Sequence, residues 1–123
     1  MKELRKEPIM PFISTKTNVN VSKEKEIELK EKLGQAISII PGKSENWLMV
    51  AIEGDVPMYF QGDDSKPVAF VEVKIFGNAP SDVYSNMTKE LSSIYNEVLG
   101  IPADRMYIRY FGSADWGWNG NNF

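Results

Sequence analysis

The chain contains no histidine and no cysteine. The first absence removes the side chain that most often moves protons near neutral pH. The second removes thiol nucleophiles, disulfides and thiolate metal ligands together. Proton transfer is left to carboxylates, lysines, tyrosines or a chain terminus. An α-amino group, with a reference pKa of roughly 7.7–8.0, is the natural substitute for histidine, because desolvation or a nearby cation brings it toward working pH. No run approaches the roughly 20 apolar residues of a membrane span. Neither charge sign dominates: 14 basic side chains stand against 17 acidic ones, which lends no support to a broad nucleic-acid or anionic-membrane surface. Lys2, Arg5 and Lys6 are offset by Glu3 and Glu7 with no apolar core behind them, so nothing directs signal-peptide secretion. Together with the missing cysteines, which fit a reducing compartment, this makes a cytoplasmic location the expectation. Export independent of a signal peptide is the alternative route.

What is present points to one small domain. At 123 residues the chain is long enough for a single core, and oligomerisation is a reasonable way to complete both core and site. Met10-Pro11 precedes a strand-like Phe12 to Asn18. As written, Pro11 sits in a tertiary amide whose nitrogen lone pair is delocalised and not basic. If the mature chain began there, Pro11 would be a secondary amine able to act as a base. Taken alone, Pro11 reads simply as a strand-opening proline at a sheet edge. Residues 1–10 are accordingly read as an N-terminal extension, or as the product of a mis-assigned start, and 11–123 as the domain.

The order of elements is strand, helix, strand, written twice. Ser22 is a good helix N-cap, and Leu29, Leu33, Ala36, Ile37 and Ile40 recur at helical spacing before Pro41-Gly42. The charges from Lys23 to Lys32 are read as the solvated face of that helix. Asn46 to Ile52 reads as a buried strand. The second half repeats the pattern: Val68 to Phe76 is a strand, a helix begins near Pro80 and carries Tyr84, Met87, Leu91, Ile94, Tyr95 and Val98, and Met106 to Phe111 follows Gly100 and Pro102. Two such units predict an α+β fold with a four-stranded mixed sheet and two helices on one face. The strands read as apolar on both faces, as in a sheet buried on each side. Pro57 to Phe60 and Trp116 to Trp118 are candidate short edge strands. Tyr107 and Tyr110 should face opposite sides of their strand, so at most one reaches a given pocket.

Taken together, Met10-Pro11-Phe12-Ile13 with Thr17-Asn18, Gly42-Lys43, Pro67-x-Ala69, Arg105-x-Tyr107-Ile108, and Gly117-Trp118-Asn119 with Phe123 resemble the macrophage migration inhibitory factor family of the tautomerase superfamily. The resemblance covers Pro11 to Phe123. It implies a homotrimer with a barrel-like arrangement of sheets, active sites at subunit interfaces, and no cofactor. It also implies keto-enol tautomerisation of phenylpyruvate-type α-keto acids, with an N-terminal proline as general base. On that pattern Pro11 is the base, Lys43 binds the substrate's anionic group, Phe76 and Trp47 are wall positions, and Tyr107 comes from the adjacent subunit. Arg109 stands where well-known members carry an asparagine, and could clamp a carboxylate or join an inter-subunit salt bridge. Trp118 and Phe123 are assigned to trimer packing. Val68-Ala69-Phe70-Val71 replaces the Cys-x-x-Cys of some members, which excludes thiol redox chemistry. The second functional class is a cytokine-like or host-interaction protein, with a receptor as partner and a blocked or vestigial pocket.

Overall fold

A computed structural model describes residues 10–122; Phe123 and the extension before Met10 lie outside the described residues. Strand β1 (Pro11–Thr17) leads to helix α1 (Lys23–Ala36) and strand β2 (Met49–Glu53). Strand β3 (Ala69–Phe76), helix α2 (Ser81–Leu99) and strand β4 (Met106–Ser113) repeat the order. A terminal hairpin of β5 (Gly117–Trp118) and β6 (Asn121–Asn122) closes the chain. The sheet order is β2-β1-β3-β4. Each β-α-β unit supplies a parallel outer pair, and the central β1–β3 pair is antiparallel, with Pro11 opposite Ile75 and Thr17 opposite Ala69. The expected α+β fold and mixed sheet are therefore observed.

Local chemistry explains the helix limits. The Ser22 hydroxyl accepts from the Lys25 N–H at 3.2 Å, and Glu24 and Glu26 in the first turn complement the helix dipole. The helix ends at Ala36, and the apolar periodicity continues through a 3₁₀ turn (Ile37–Ile39) that still buries Ile37 and Ile40. At the end of α2, Gly100 adopts a left-handed φ of 70° and its N–H donates to the Asn96 carbonyl. Ile101 is buried just beyond it.

Both helices cover one face of the sheet. Leu29, Leu33, Met87, Leu91 and Tyr95 pack against Ile13, Val71, Val73 and Ile75 in one core cluster. Two polar side chains on that face are satisfied: Thr15 Oγ1 shares a hydrogen bond with the Tyr95 hydroxyl, and Thr17 Oγ1 donates to the Val68 carbonyl.

Three expectations are corrected. The strands are not apolar on both faces, because register alternation puts Ser14, Lys16, Glu53, Glu72, Lys74 and Arg109 on the face away from the helices. The second strand begins at Met49 rather than Asn46, since Glu45–Trp47 forms a 3₁₀ turn. Pro57 to Phe60 forms no strand. Left-handed Gln61 (φ 54°) and Gly62 (φ 76°) turn the chain back at once, leaving a single bridge between Phe60 and Asp63.

Candidate active site

Pro11 opens β1, the one place in a central strand where a missing N–H costs no ladder bond. It is buried. The ladder continues one residue further: the Phe76 N–H donates to the Met10 carbonyl at 3.3 Å, and Met10 is 7% exposed. The peptide bond that makes Pro11 an amide is therefore seated in the sheet.

Lys43 reaches the same strand end from the other side. The turn after α1 brings it there, with Gly42 at φ 83° and the Lys43 N–H donating to the Ile40 carbonyl. Its Nζ donates to the Phe76 carbonyl at 3.0 Å. Partial burial disfavours the charged ammonium and lowers its pKa below the ordinary lysine value. Phe76, half-buried at the end of β3, thus links Pro11's neighbour Met10 and Lys43 through its main chain.

Beside Pro11 lies a mainly apolar cleft of about 420 Å³. Trp47, in the 3₁₀ turn before β2, meets Trp118 edge to face, with ring centroids 5.1 Å apart. Trp116 completes the wall, so all three tryptophans of the chain line this one cleft. The terminal hairpin, which carries Trp118 with Trp116 just before it, turns on left-handed Asn119 (φ 54°) and Gly120 (φ 81°), the two-residue loop that matches strand twist. Lys43 and Phe76 adjoin the cleft's Met10–Pro11 end without lining it.

Tyr107 and Arg109 are elsewhere in the chain. Tyr107 pairs with Phe70, and Arg109 with Glu72. Pro11 pairs with Ile75, so the strand rise puts Tyr107 roughly 17 Å and Arg109 roughly 10 Å along the sheet from Pro11. Tyr107 is 65% exposed on the open face and meets Phe60 edge to face. The Arg109 guanidinium lies 4.7 Å from the Phe111 ring centroid. Tyr110 faces the helices, stacked on Tyr84 with its hydroxyl bonded to Thr88, which matches the expected opposite orientations.

One chain therefore gathers Pro11, Lys43, Phe76 and Trp47, and leaves Tyr107 and Arg109 apart. Sequence reasoning assigned Trp118 to trimer packing and Trp116 only to a candidate edge strand, neither to the cleft. The glycine between them was the available signal: on a strand, residues two apart share a face, so a Trp-Gly-Trp run presents both rings to one side. Among the described residues, no group of three or more acidic, histidine or cysteine side chains is placed to hold a metal, and no helix is long and apolar enough to cross a membrane.

The family model for macrophage migration inhibitory factor (MIF) matches residues 10–123. The macrophage migration inhibitory factor of Xenopus laevis is 31% identical over 93% of this chain and 99% of its own length, and that of Rattus norvegicus 32% identical over the same shares. Among solved structures, Leishmania major MIF2 superposes with a TM-score of 0.85 at 32% identity, covering 93% of this chain and 97% of that one. The Prochlorococcus marinus homologue gives 0.74 at 30% identity, over 91% and 98%. A match that runs from Met10 to the last residue, carried by both sequence and fold, places this chain in the macrophage migration inhibitory factor family.

Proposed function

We propose that this protein is a cofactor-independent keto-enol tautomerase of phenylpyruvate-type α-keto acids, acting when Pro11 is the N-terminal residue. One observation carries the reading: Pro11 lies in a tryptophan-walled cleft, with Lys43 held beside it on the Phe76 carbonyl. The family match begins at Met10, which makes Pro11 its second residue.

The chemistry follows from those groups. A free Pro11 nitrogen is a secondary amine whose lone pair takes the proton from the carbon next to the ketone. Negative charge then develops on the carbonyl oxygen, and a nearby cation stabilises it. Lys43 is that cation, and it also anchors the substrate carboxylate. The protonated amine returns its proton to oxygen, or to carbon in the reverse direction, so no redox partner is required. Trp47 in the cleft wall, with Phe76 adjoining the cleft's Pro11 end, favours an aryl side chain and excludes water.

The site is completed by a second copy. Tyr107 and Arg109 lie too far along the sheet to meet Pro11 in their own chain, and among the described residues no helix covers the sheet face that carries them. A closed head-to-tail homotrimer brings one copy's β4 to the next copy's Pro11 cleft. Arg109 then offers a planar fork to a carboxylate. The protein works in the cytoplasm in this reading.

The test compares enol-keto conversion of phenylpyruvate by the full chain, by a form beginning at Pro11, and by Pro11→Gly in the short form. Activity confined to the short proline form, accompanied by trimeric sedimentation, is expected. Equal inactivity of all three folded forms would overturn the enzymatic reading. One observation favours a second reading in that case: Met10 is buried with its carbonyl in the ladder, so a chain that retains it keeps fold and surface without a free amine. The protein then acts as a MIF-like cytokine or host-interaction protein, with a receptor as its partner.

A further inference from the structure

Tyr107 is an exposed aromatic on an open sheet face, yet its surroundings are built to hold it. The only ring that meets it among the described residues is Phe60, edge to face at 5.3 Å. Phe60 in turn is held by hydrogen bonds at both its N–H and its carbonyl. Its N–H donates to the Asp63 carbonyl at 3.1 Å and its carbonyl accepts from the Asp63 N–H at 3.0 Å, closing a tight turn over left-handed Gln61 and Gly62. Asp63 Oδ1 accepts from both the N–H and the hydroxyl of Ser65, which fixes the turn's exit.

Arg105 locks the assembly from beneath. It is 8% exposed, a strongly buried guanidinium. Its Nε donates to the Pro67 carbonyl at 3.0 Å, one terminal nitrogen reaches the Asp63 carbonyl at 2.9 Å and Lys66 at 3.4 Å, and the other reaches the Phe60 carbonyl at 3.4 Å. The same guanidinium lies 5.5 Å from the Phe60 ring centroid. Burying a guanidinium carries a large desolvation penalty, and only a rigid fork of donors meets four carbonyls at once. The sequence distance between Arg105 and Tyr107 is a single residue, Met106, which is itself buried. The lock and the ring it steadies are therefore one short segment.

We infer that Phe60, held by Arg105, is a positioning residue for Tyr107: it fixes the orientation in which Tyr107 is presented to the neighbouring copy's Pro11 cleft. The inference rests on the reading that Tyr107 completes a partner's site. An unsupported surface ring samples its rotamers on a picosecond to nanosecond scale. A ring already held in one orientation loses less freedom when substrate arrives, and that difference appears in substrate binding rather than in the proton-transfer step.

The experiment uses the trimer beginning at Pro11 and compares Phe60→Leu, Phe60→Tyr, Tyr107→Ala and the double variant Phe60→Leu/Tyr107→Ala. KM for phenylpyruvate is measured, together with its dissociation constant from quenching of the cleft tryptophans, a readout that does not require turnover. Phe60→Leu keeps bulk and the turn while removing the ring edge. It should raise KM and the dissociation constant by about two- to tenfold, the range of a lost edge-to-face pair, and leave kcat near the parent value. Phe60→Tyr should restore both. In the double variant, Phe60→Leu should add nothing to the effect of Tyr107→Ala. Parent-like binding by Tyr107→Ala would overturn the composite site and this inference with it. An effect of Tyr107→Ala with none from Phe60→Leu, or with a fully additive one, would overturn the positioning role alone.

Discussion

The two faces of this sheet are made by the same strands and obey different rules. Toward the helices, β1 and β3 present Ile13, Thr15, Val71, Val73 and Ile75, each at most 1% exposed. On the other side, the alternate residues of those strands are Phe12, Ser14, Lys16, Phe70, Glu72 and Lys74, in rows that continue to Tyr107, Arg109 and Phe111 on β4. These rows mix charge and ring: the Lys74 ammonium lies 5.4 Å from the Phe111 centroid and 3.9 Å from the Glu72 carboxylate. The closed face holds the chain together. The open face is too polar to be a core, and it carries Tyr107 and Arg109 on β4.

The largest expected effect breaks the closed face. Leu91, fully buried on α2, should cost about 2–5 kcal/mol when changed to alanine, through lost burial and the cavity left behind, read as a fall in the urea midpoint. Next is the polar pair inside that face. Tyr95→Phe leaves the Thr15 hydroxyl buried without its partner and should cost about 1–3 kcal/mol. Adding Thr15→Val should recover most of that loss, since both polar groups are then gone. If the double variant is no better than the single, the pair is not the reason these two residues are there.

The contrast sharpens on the open side. Arg109→Ala should change stability by no more than about 0.5 kcal/mol, while weakening trimer sedimentation or raising KM for the keto acid. A large stability loss without either change would show that the open face works as the closed one does. The smallest effect lies at the sheet end between them. Burial lowers the pKa of Lys43 in the folded chain. The folded state therefore gives up that proton at a lower pH than the unfolded state does. Over that interval the unfolded chain binds more protons, and stability rises with pH. Followed upward from neutral to pH 10.5, the melting temperature of the wild type should rise relative to that of Lys43→Met, since ionisation of the buried tyrosines, which lowers stability, acts on both alike.

Much of this was legible in the residues. Ser22 and Gly100 mark helix limits by chemistry that does not depend on tertiary context, whereas Pro41-Gly42 lies beyond a 3₁₀ turn that follows the end of the first helix at Ala36; the two β-α-β units follow all the same. The polarity of the open face was legible but missed: strand alternation alone sets Glu72 and Lys74 on one side, while the apolar majority of Val68 to Phe76 reads as doubly buried. Pro57 to Phe60 failed for a different reason. An ordinary Gln61 held in a left-handed conformation ends the extended run, and part of what keeps it there is the Arg105 clamp, forty-odd positions away in sequence. In the candidate site, Pro11, Lys43, Phe76 and Trp47 were named together only through the family resemblance, since nothing in their own spacing joins them. The Trp47–Trp118 contact was not legible, since it depends on where the terminal hairpin folds back.

The antiparallel central pair has a consequence for the life of the chain on the ribosome. β1 is complete once Thr17 is made, and β2 can join it on one side soon after, but its other partner, β3, begins only at Ala69. Throughout that interval a nascent chain carries the inner edge of β1 unpaired, its Ile13 row uncovered by α2, and an open strand edge is a template for any neighbouring chain. The hazard of misassembly therefore outlasts the first half of translation, and it ends only when Ala69–Phe76 has paired with β1 and α2, complete at Leu99, covers the Ile13 row.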